Sequence, residues 1–156
     1  MQISIRRASL FNYLNKNNVI WMNDPEVTKY LKQRNKFTLL DSIKYYLQNK
    51  NESILLAIYH KNNYIGNCGF FNLSEGSAEL RISIGEKKLW GKGIGKDVIN
   101  LMFDHAQQAS ISKIWLHVSI NNERAILLYK NLGFKTTGEI EKIIDDQPQL
   151  KMIKII

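Results

Sequence analysis

The 156-residue chain is 44% hydrophobic and 23% charged, which suits one domain, residues 1–156, with a sizeable core. Its net charge of +8 favours acidic partners, such as phosphates or nucleotides, and argues against a small polycation as substrate. No apolar run approaches the roughly 18 residues of a membrane span, no Lys/Arg run has the density of a nucleic-acid arm, no Cys and His spacing fits zinc, and the lone Cys68 excludes an internal disulfide. Residues 1–7 carry no signal-peptide pattern, and a single cysteine fits a reducing compartment, so a cytoplasmic location is expected. Cys68 falls in a strand-like run and reads as a small core residue. His60, His105 and His117 stand apart from one another and read as structural or exposed.

In chain order, Ile3 to Ala8 reads as a first strand. Ser9 is placed to cap a helix over Leu10 to Lys16. Asp24-Pro25-Glu26 marks a second helix start, with Asp as cap, Pro at the first position and Glu in the first turn. That helix would carry Val27, Tyr30 and Leu31. A third follows Thr38 through Ile43, Tyr46 and Leu47. This segment is rich in Tyr, Trp and Asn, and either walls a pocket or covers a sheet face. Three strands joined by short turns come next: Ser53 to His60, Tyr64 to Leu73 and Ala78 to Ile84. Gly66 and Gly69 inside the second suggest bulges or a closely packed backbone. The third alternates, with Leu80, Ile82 and Ile84 on one face and Glu79, Arg81 and Ser83 on the other. Gly93 to Ala109 is the strongest helix pattern. A strand over Ile114 to Val118, a helix over Asn122 to Asn131 capped by Gly133, and strands over Phe134 to Ile144 and Gln149 to Ile156 complete the chain. The order predicts an α+β fold: a mixed, mostly antiparallel sheet of about seven strands with helices on both faces.

The chemistry centres on Leu89 to Lys96, reading L-W-G-K-G-I-G-K. Glycines at 91, 93 and 95 strip side chains from a turn between a strand and a helix, so backbone N–H groups can approach a ligand. The helix that starts there offers unpaired N–H groups and a positive dipole end, which together suit an anion such as a pyrophosphate. A tight connection with no ligand has the same glycines. Two phosphate motifs are excluded: Asp97 follows Lys96 where a P-loop needs Ser or Thr, and Val98 stands where the dinucleotide fingerprint needs glycine.

Four blocks in order resemble the GCN5-related N-acetyltransferase (GNAT) superfamily. They are E-L-R-I-S-I-G before the loop, W-G-K-G-I-G-K, V-S-I-N-N-E-R-A-I-L-L-Y, and K-N-L-G-F-K-T-T-G-E-I. Trp90 departs from the usual Gln or Arg at that point, and with W-M-N-D-P-E-V-T-K-Y it resembles the branch of ribosomal-protein, spermidine and nucleotide-sugar acetyltransferases. The resemblance implies acetyl-CoA as co-substrate, no metal, and a primary amine as acceptor, either a small molecule or a protein amine. It implies that the pyrophosphate sits on amides of Lys92, Gly93, Ile94, Gly95 and Lys96. It further implies that the pantetheine arm pairs with Ile82, Ser83 and Ile84, that Asn122 bonds this arm, and that Tyr129 faces the thioester sulfur. Outside that context Asn122 is a helix cap and Tyr129 a core aromatic. Family members often pair, so a homodimer is open.

An amine attacks a thioester only when neutral. For a lysine-like amine of pKa about 10.4, that fraction at pH 7 corresponds to nearly 5 kcal/mol. Glu79, at the start of the strand that leads to the glycine turn, is the candidate base, acting through water; a solvated strand-end carboxylate is the plain alternative. Glu52 and Glu75 are weaker candidates. The basic balance favours an amine on something acidic, such as a nucleotide-linked amino sugar. Behind it stand a protein N-terminus or lysine, a polyamine or an aminoglycoside, and a non-catalytic acyl-CoA-binding module.

Overall fold

A computed structural model describes residues 2–31, 36–144 and 147–156, with side chains described for all of these except 139–144 and 147. The strands are β1 (Ile3–Arg7), β2 (Ile54–His60), β3 (Asn63–Ser74), β4 (Ser77–Ile84), β5 (Lys113–Ser119), β6 (Lys135–Ile144) and β7 (Gln147–Ile155). They form one sheet in the order β1-β2-β3-β4-β5-β7-β6. Each neighbouring pair is antiparallel except β4 and β5, which run parallel. The seven-stranded mixed sheet expected from the element order is therefore present. Asp145 and Asp146, read as the last hairpin turn, lie outside the described residues.

The helices are α1 (Leu10–Leu14), α2 (Lys16–Met22), α3 (Pro25–Thr28), α4 (Leu39–Asn49), α5 (Ile94–Gln108) and α6 (Glu123–Asn131). Apolar positions of α5 and α6 pack on one sheet face, with Val98, Ile99, Met102 and Tyr129 beside Leu80, Ile114 and Leu116. Tyr13 of α1 and Tyr46 of α4 pack with Leu55, Ala57 and Phe71 on the other. Helices thus cover both faces.

Two local expectations need correction. Leu10 to Lys16 is not one helix. Asn15 is extended, and its side chain accepts from the Asn17 N–H at 2.9 Å, so the chain restarts as α2. Asn15, read as a helix-interior residue, is instead the cap that begins a new helix. The Asp24 helix stops at Thr28, leaving Tyr30 and Leu31 beyond its end. The two glycines of β3 do mark close approach: a Cβ on Gly66 would lie 2.1 Å from the Ser83 carbonyl oxygen, and one on Gly69 would lie 2.4 Å from that of Ile54.

One feature of the sheet positions everything that follows. β4 pairs with β5 only where Ser77–Glu79 meet Lys113–Trp115. Beyond that, β4 stays with β3 as far as Ile84, and β5 stays with β7 as far as Ser119. A gap opens between the two parallel strands.

Candidate active site

The gap leads into a cleft of about 740 Å³ that reaches the start of α5. Alternation along β4 decides which backbone groups face it. The Gly85 N–H donates to Ile65 in β3 at 2.9 Å, and the Ser83 carbonyl oxygen lies against Gly66. Residues 83 and 85 therefore turn their backbone polar groups toward β3, while those of Ile82 and Ile84 turn toward the gap. The expected pairing of the whole Ile82–Ile84 stretch is thereby refined. Ser83 lines the cleft but has its backbone engaged with β3, so Ile82 and Ile84 are the positions able to meet an extended ligand.

Trp90 closes this edge at one end. Its indole N–H donates to the Ile84 carbonyl at 2.8 Å, and the Arg124 guanidinium lies 5.0 Å from its ring centroid. The side chain that replaces the usual Gln or Arg thus fixes the end of β4, and one of the gap-facing acceptors is already engaged.

At the glycine turn, Gly91 has φ +74° and Gly93 φ +81°. A side chain in this left-handed region costs about 1–2 kcal/mol. A Cβ at either position would meet nothing within 4 Å, so the space over the turn is open. Gly93 is the N-cap of the 15-residue α5 and has no side chain to satisfy the first N–H groups. Ile94, Gly95 and Lys96 line the cleft with Gly93; Lys92 is exposed in the turn and does not. Asn122 and Tyr129 complete the far wall. Asn122 is also a cap, since its side-chain oxygen accepts from the Ala125 N–H at 3.2 Å; its amide N–H groups stay available as donors. Tyr129 is 8% exposed, and burial pushes its hydroxyl up to about 12. The near wall comes from α3 and the residues after it. Lys87, in the turn after β4, ties α3 down by pairing with Asp24 at 2.7 Å and with Glu26. The pairing holds Asp24 below its ordinary range and Lys87 above its own.

Glu79, the candidate base, stands back from this cleft. It is 7% exposed and lines neither this cleft nor the chamber described next. One oxygen accepts from Arg81 at 2.6 Å and from the Asn72 amide at 2.7 Å; the other lies 3.8 Å from His117 Nδ1. It is neither solvated nor free, because partners from β3, β4 and β5 converge on it. Glu52 and Glu75 are exposed and line neither cavity. Cys68 is 4% exposed, and burial pushes its thiol well up, as a core residue requires.

On the other face, a chamber of about 360 Å³ lies between β3–β4 and the first helices. Tyr13, Trp21, Phe37, Tyr45 and Phe71 wall it, and it shares Leu31, Ile82 and Ser83 with the cleft. Gly85 makes room for this wall, because a Cβ there would lie 2.0 Å from the Trp21 ring. The aromatic richness of the early helices was visible in the sequence. The polar residues Asn18, Ser42 and Asn67, which also line the chamber, gave no signal, being spread over α2, α4 and β3.

The acetyltransferase (GNAT) domain model matches residues 13–135. Among curated proteins, an uncharacterized protein of Methanocaldococcus jannaschii is 28% identical over 121 residues, covering 75% of this chain and 25% of that one. The spermidine N(1)-acetyltransferase of Vibrio cholerae is 35% identical over 65 residues, covering 41% of this chain and 37% of that one. The chain therefore spans well under half the length of these curated relatives. Among solved structures, spermidine N-acetyltransferase from Vibrio cholerae, in complex with CoA and spermine, shares the fold with a TM-score of 0.85 at 22% identity, covering 99% of this chain and 95% of that one. With the family model spanning most of the sequence, and the strand, glycine turn and helix in their expected places, the chain belongs to the GNAT acetyltransferase domain family.

Proposed function

We propose that the chain is an acetyl-CoA-dependent N-acetyltransferase that moves an acetyl group to a primary amine by direct attack within a ternary complex. The free end of β4 carries this reading: Ile82 and Ile84 face a cleft that runs from an open glycine turn to a buried tyrosine. The residues fit acetyl-CoA. Amides of residues 92–96 suit the pyrophosphate, the Ile82 backbone and the Asn122 amide suit the pantetheine arm, and the Ile84 N–H suits the thioester oxygen as negative charge develops on it.

Tyr129 holds its proton. The leaving thiol resembles cysteine, with a pKa near 8.5, so full transfer from a hydroxyl at about 12 is uphill by roughly 5 kcal/mol. Tyr129 therefore acts as a hydrogen-bond donor whose bond tightens as the thiolate forms. Glu79 is occupied by Arg81 and Asn72, so the amine loses its proton to water rather than to this carboxylate. Cys68, buried and with its thiol pushed up, is not an acyl carrier.

The two Vibrio cholerae relatives named above are spermidine N-acetyltransferases, which makes a polyamine the first acceptor to try. None of them supports the nucleotide-linked amino sugar expected from net charge. Free-CoA release from acetyl-CoA, followed over polyamines, aryl amines, N-terminal peptides and amino sugars, tests the reading. Release with one amine class is expected. Binding of acetyl-CoA without release on any class would make the chain a binding module.

A further inference from the structure

β4 reaches its end with a partner strand on one side only. β5 pairs with it at Ser77–Glu79 and then parts from it, so Ile84, the last residue of β4, is paired with β3 alone. Strand ends fray when half of their backbone groups lack partners. Ile84 is held all the same, because both peptide groups that meet at its Cα are fastened. On the β3 side the Gly85 N–H donates to the Ile65 carbonyl at 2.9 Å, and the Ser83 carbonyl oxygen lies against Gly66. On the gap side the Trp90 indole N–H donates to the Ile84 carbonyl at 2.8 Å. The peptide between Ile84 and Gly85 is thus tied at its hydrogen and at its oxygen. Trp90 supplies here the donor that β5 has ceased to supply. Its ring lines the cleft, with the guanidinium of Arg124 at 5.0 Å from the centroid, and Arg124 belongs to α6, the helix that carries Tyr129.

The N–H of the same residue gains in two ways. In a strand, the N–H and C=O of one residue point to the same side, so the Ile84 N–H faces the gap beside its own carbonyl. With both flanking peptides tied, that N–H keeps one direction. The carbonyl oxygen also carries partial negative charge on the side where a reacting thioester would gain charge. The indole N–H offsets it.

Resting on the acetyltransferase reading, we propose that Trp90 is a positioning residue for the reaction: by holding the Ile84 carbonyl, its indole N–H aims the Ile84 N–H at the thioester oxygen. As the amine nitrogen bonds to the thioester carbon, the C=O electron pair moves onto that oxygen. The pair returns as the C–S bond breaks and the sulfur leaves with its electrons beside Tyr129, while the proton of the amine goes to water. The Ile84 hydrogen bond is strongest while the oxygen is charged, so a fixed donor raises turnover more than it tightens acetyl-CoA binding.

Trp90→Phe tests this, because it keeps a ring beside Arg124 and removes the N–H. The freed carbonyl faces an open cleft, where water reaches it. The first readout is the infrared carbonyl stretch of bound acetyl-CoA isotope-labelled at the thioester carbonyl, since a donated hydrogen bond lowers that frequency. The frequency is expected to rise in Trp90→Phe and to return in Trp90→Gln, which restores a side-chain N–H. The second readout is kinetic. Turnover of Trp90→Phe should fall about tenfold, a part of the roughly 10²–10³ lost when an oxyanion donor is removed outright. Acetyl-CoA affinity should hold within about twofold, because the bond matters most in the transition state. A Trp90 that merely packs would lower affinity and melting temperature together and leave the frequency unmoved. An unmoved frequency, an active Trp90→Phe enzyme as fast as the wild type, or a Trp90→Gln variant no better than Trp90→Phe would overturn the proposal. Failure of the acetyltransferase reading looks different: the frequencies would follow the N–H as stated, and neither wild type nor variant would release CoA with any amine.

Discussion

The two cavities that meet at the end of β4 are made of different materials. The cleft is built from backbone: two strands that part, a glycine turn in left-handed conformation, and the first N–H groups of α5. The chamber is built from side chains, five aromatic rings and an amide–hydroxyl relay drawn from three helices and a strand. A backbone site binds what every member of a family shares, since replacing side chains scarcely alters it. A side-chain site can be rewritten one residue at a time.

The largest effect should come from striking the backbone site. Gly93→Asp adds left-handed strain and places a carboxylate where an anion should sit; acetyl-CoA affinity should fall at least about 100-fold, read by titration. Gly93→Ala sharpens the point. Its methyl meets no protein atom, so its cost to stability should be only the backbone term of about 1–2 kcal/mol. Unchanged acetyl-CoA affinity in the Asp variant would remove the cradle. Tyr129→Phe comes next. Turnover should drop roughly 10²-fold with acetyl-CoA binding preserved, and near-normal turnover would take Tyr129 out of the reaction. The mildest is Glu79→Gln. Weakening the Arg81 bond should cost about 1 kcal/mol, a fall of roughly 2–4 °C in melting temperature, with the pH–rate profile unmoved. A shifted acid limb would return Glu79 to the role of base.

The same contrast explains what could be read in advance. L-W-G-K-G-I-G-K announces itself because a backbone site draws its glycines from one short stretch, and the alternation from Ala78 to Ile84 announces the strand before it. Both stand where the sequence reading put them. The surroundings of Glu79 were not legible because alternation gives its face but not its neighbours: Asn72 reaches it from β3 and His117 from β5. Asn18, Ser42 and Asn67 were invisible for the same reason. They lie 24 and 49 residues apart along the chain, and each alone is an ordinary polar residue. The restart at Asn15 was missed because a capping Asn and an Asn within a helix are the same letter.

The indole of Trp90 has a consequence outside the reaction. A strand that must leave its N–H and C=O groups open to a substrate is also an open template for another chain's strand, and such edges seed aggregation. The parting of β4 from β5 creates a short edge of this kind inside the sheet. By capping the Ile84 carbonyl, Trp90 leaves fewer unpaired acceptors on that edge. Arg124 adds a positive charge beside it. An occupied carbonyl and a nearby charge both make a strand edge a poorer template for another chain.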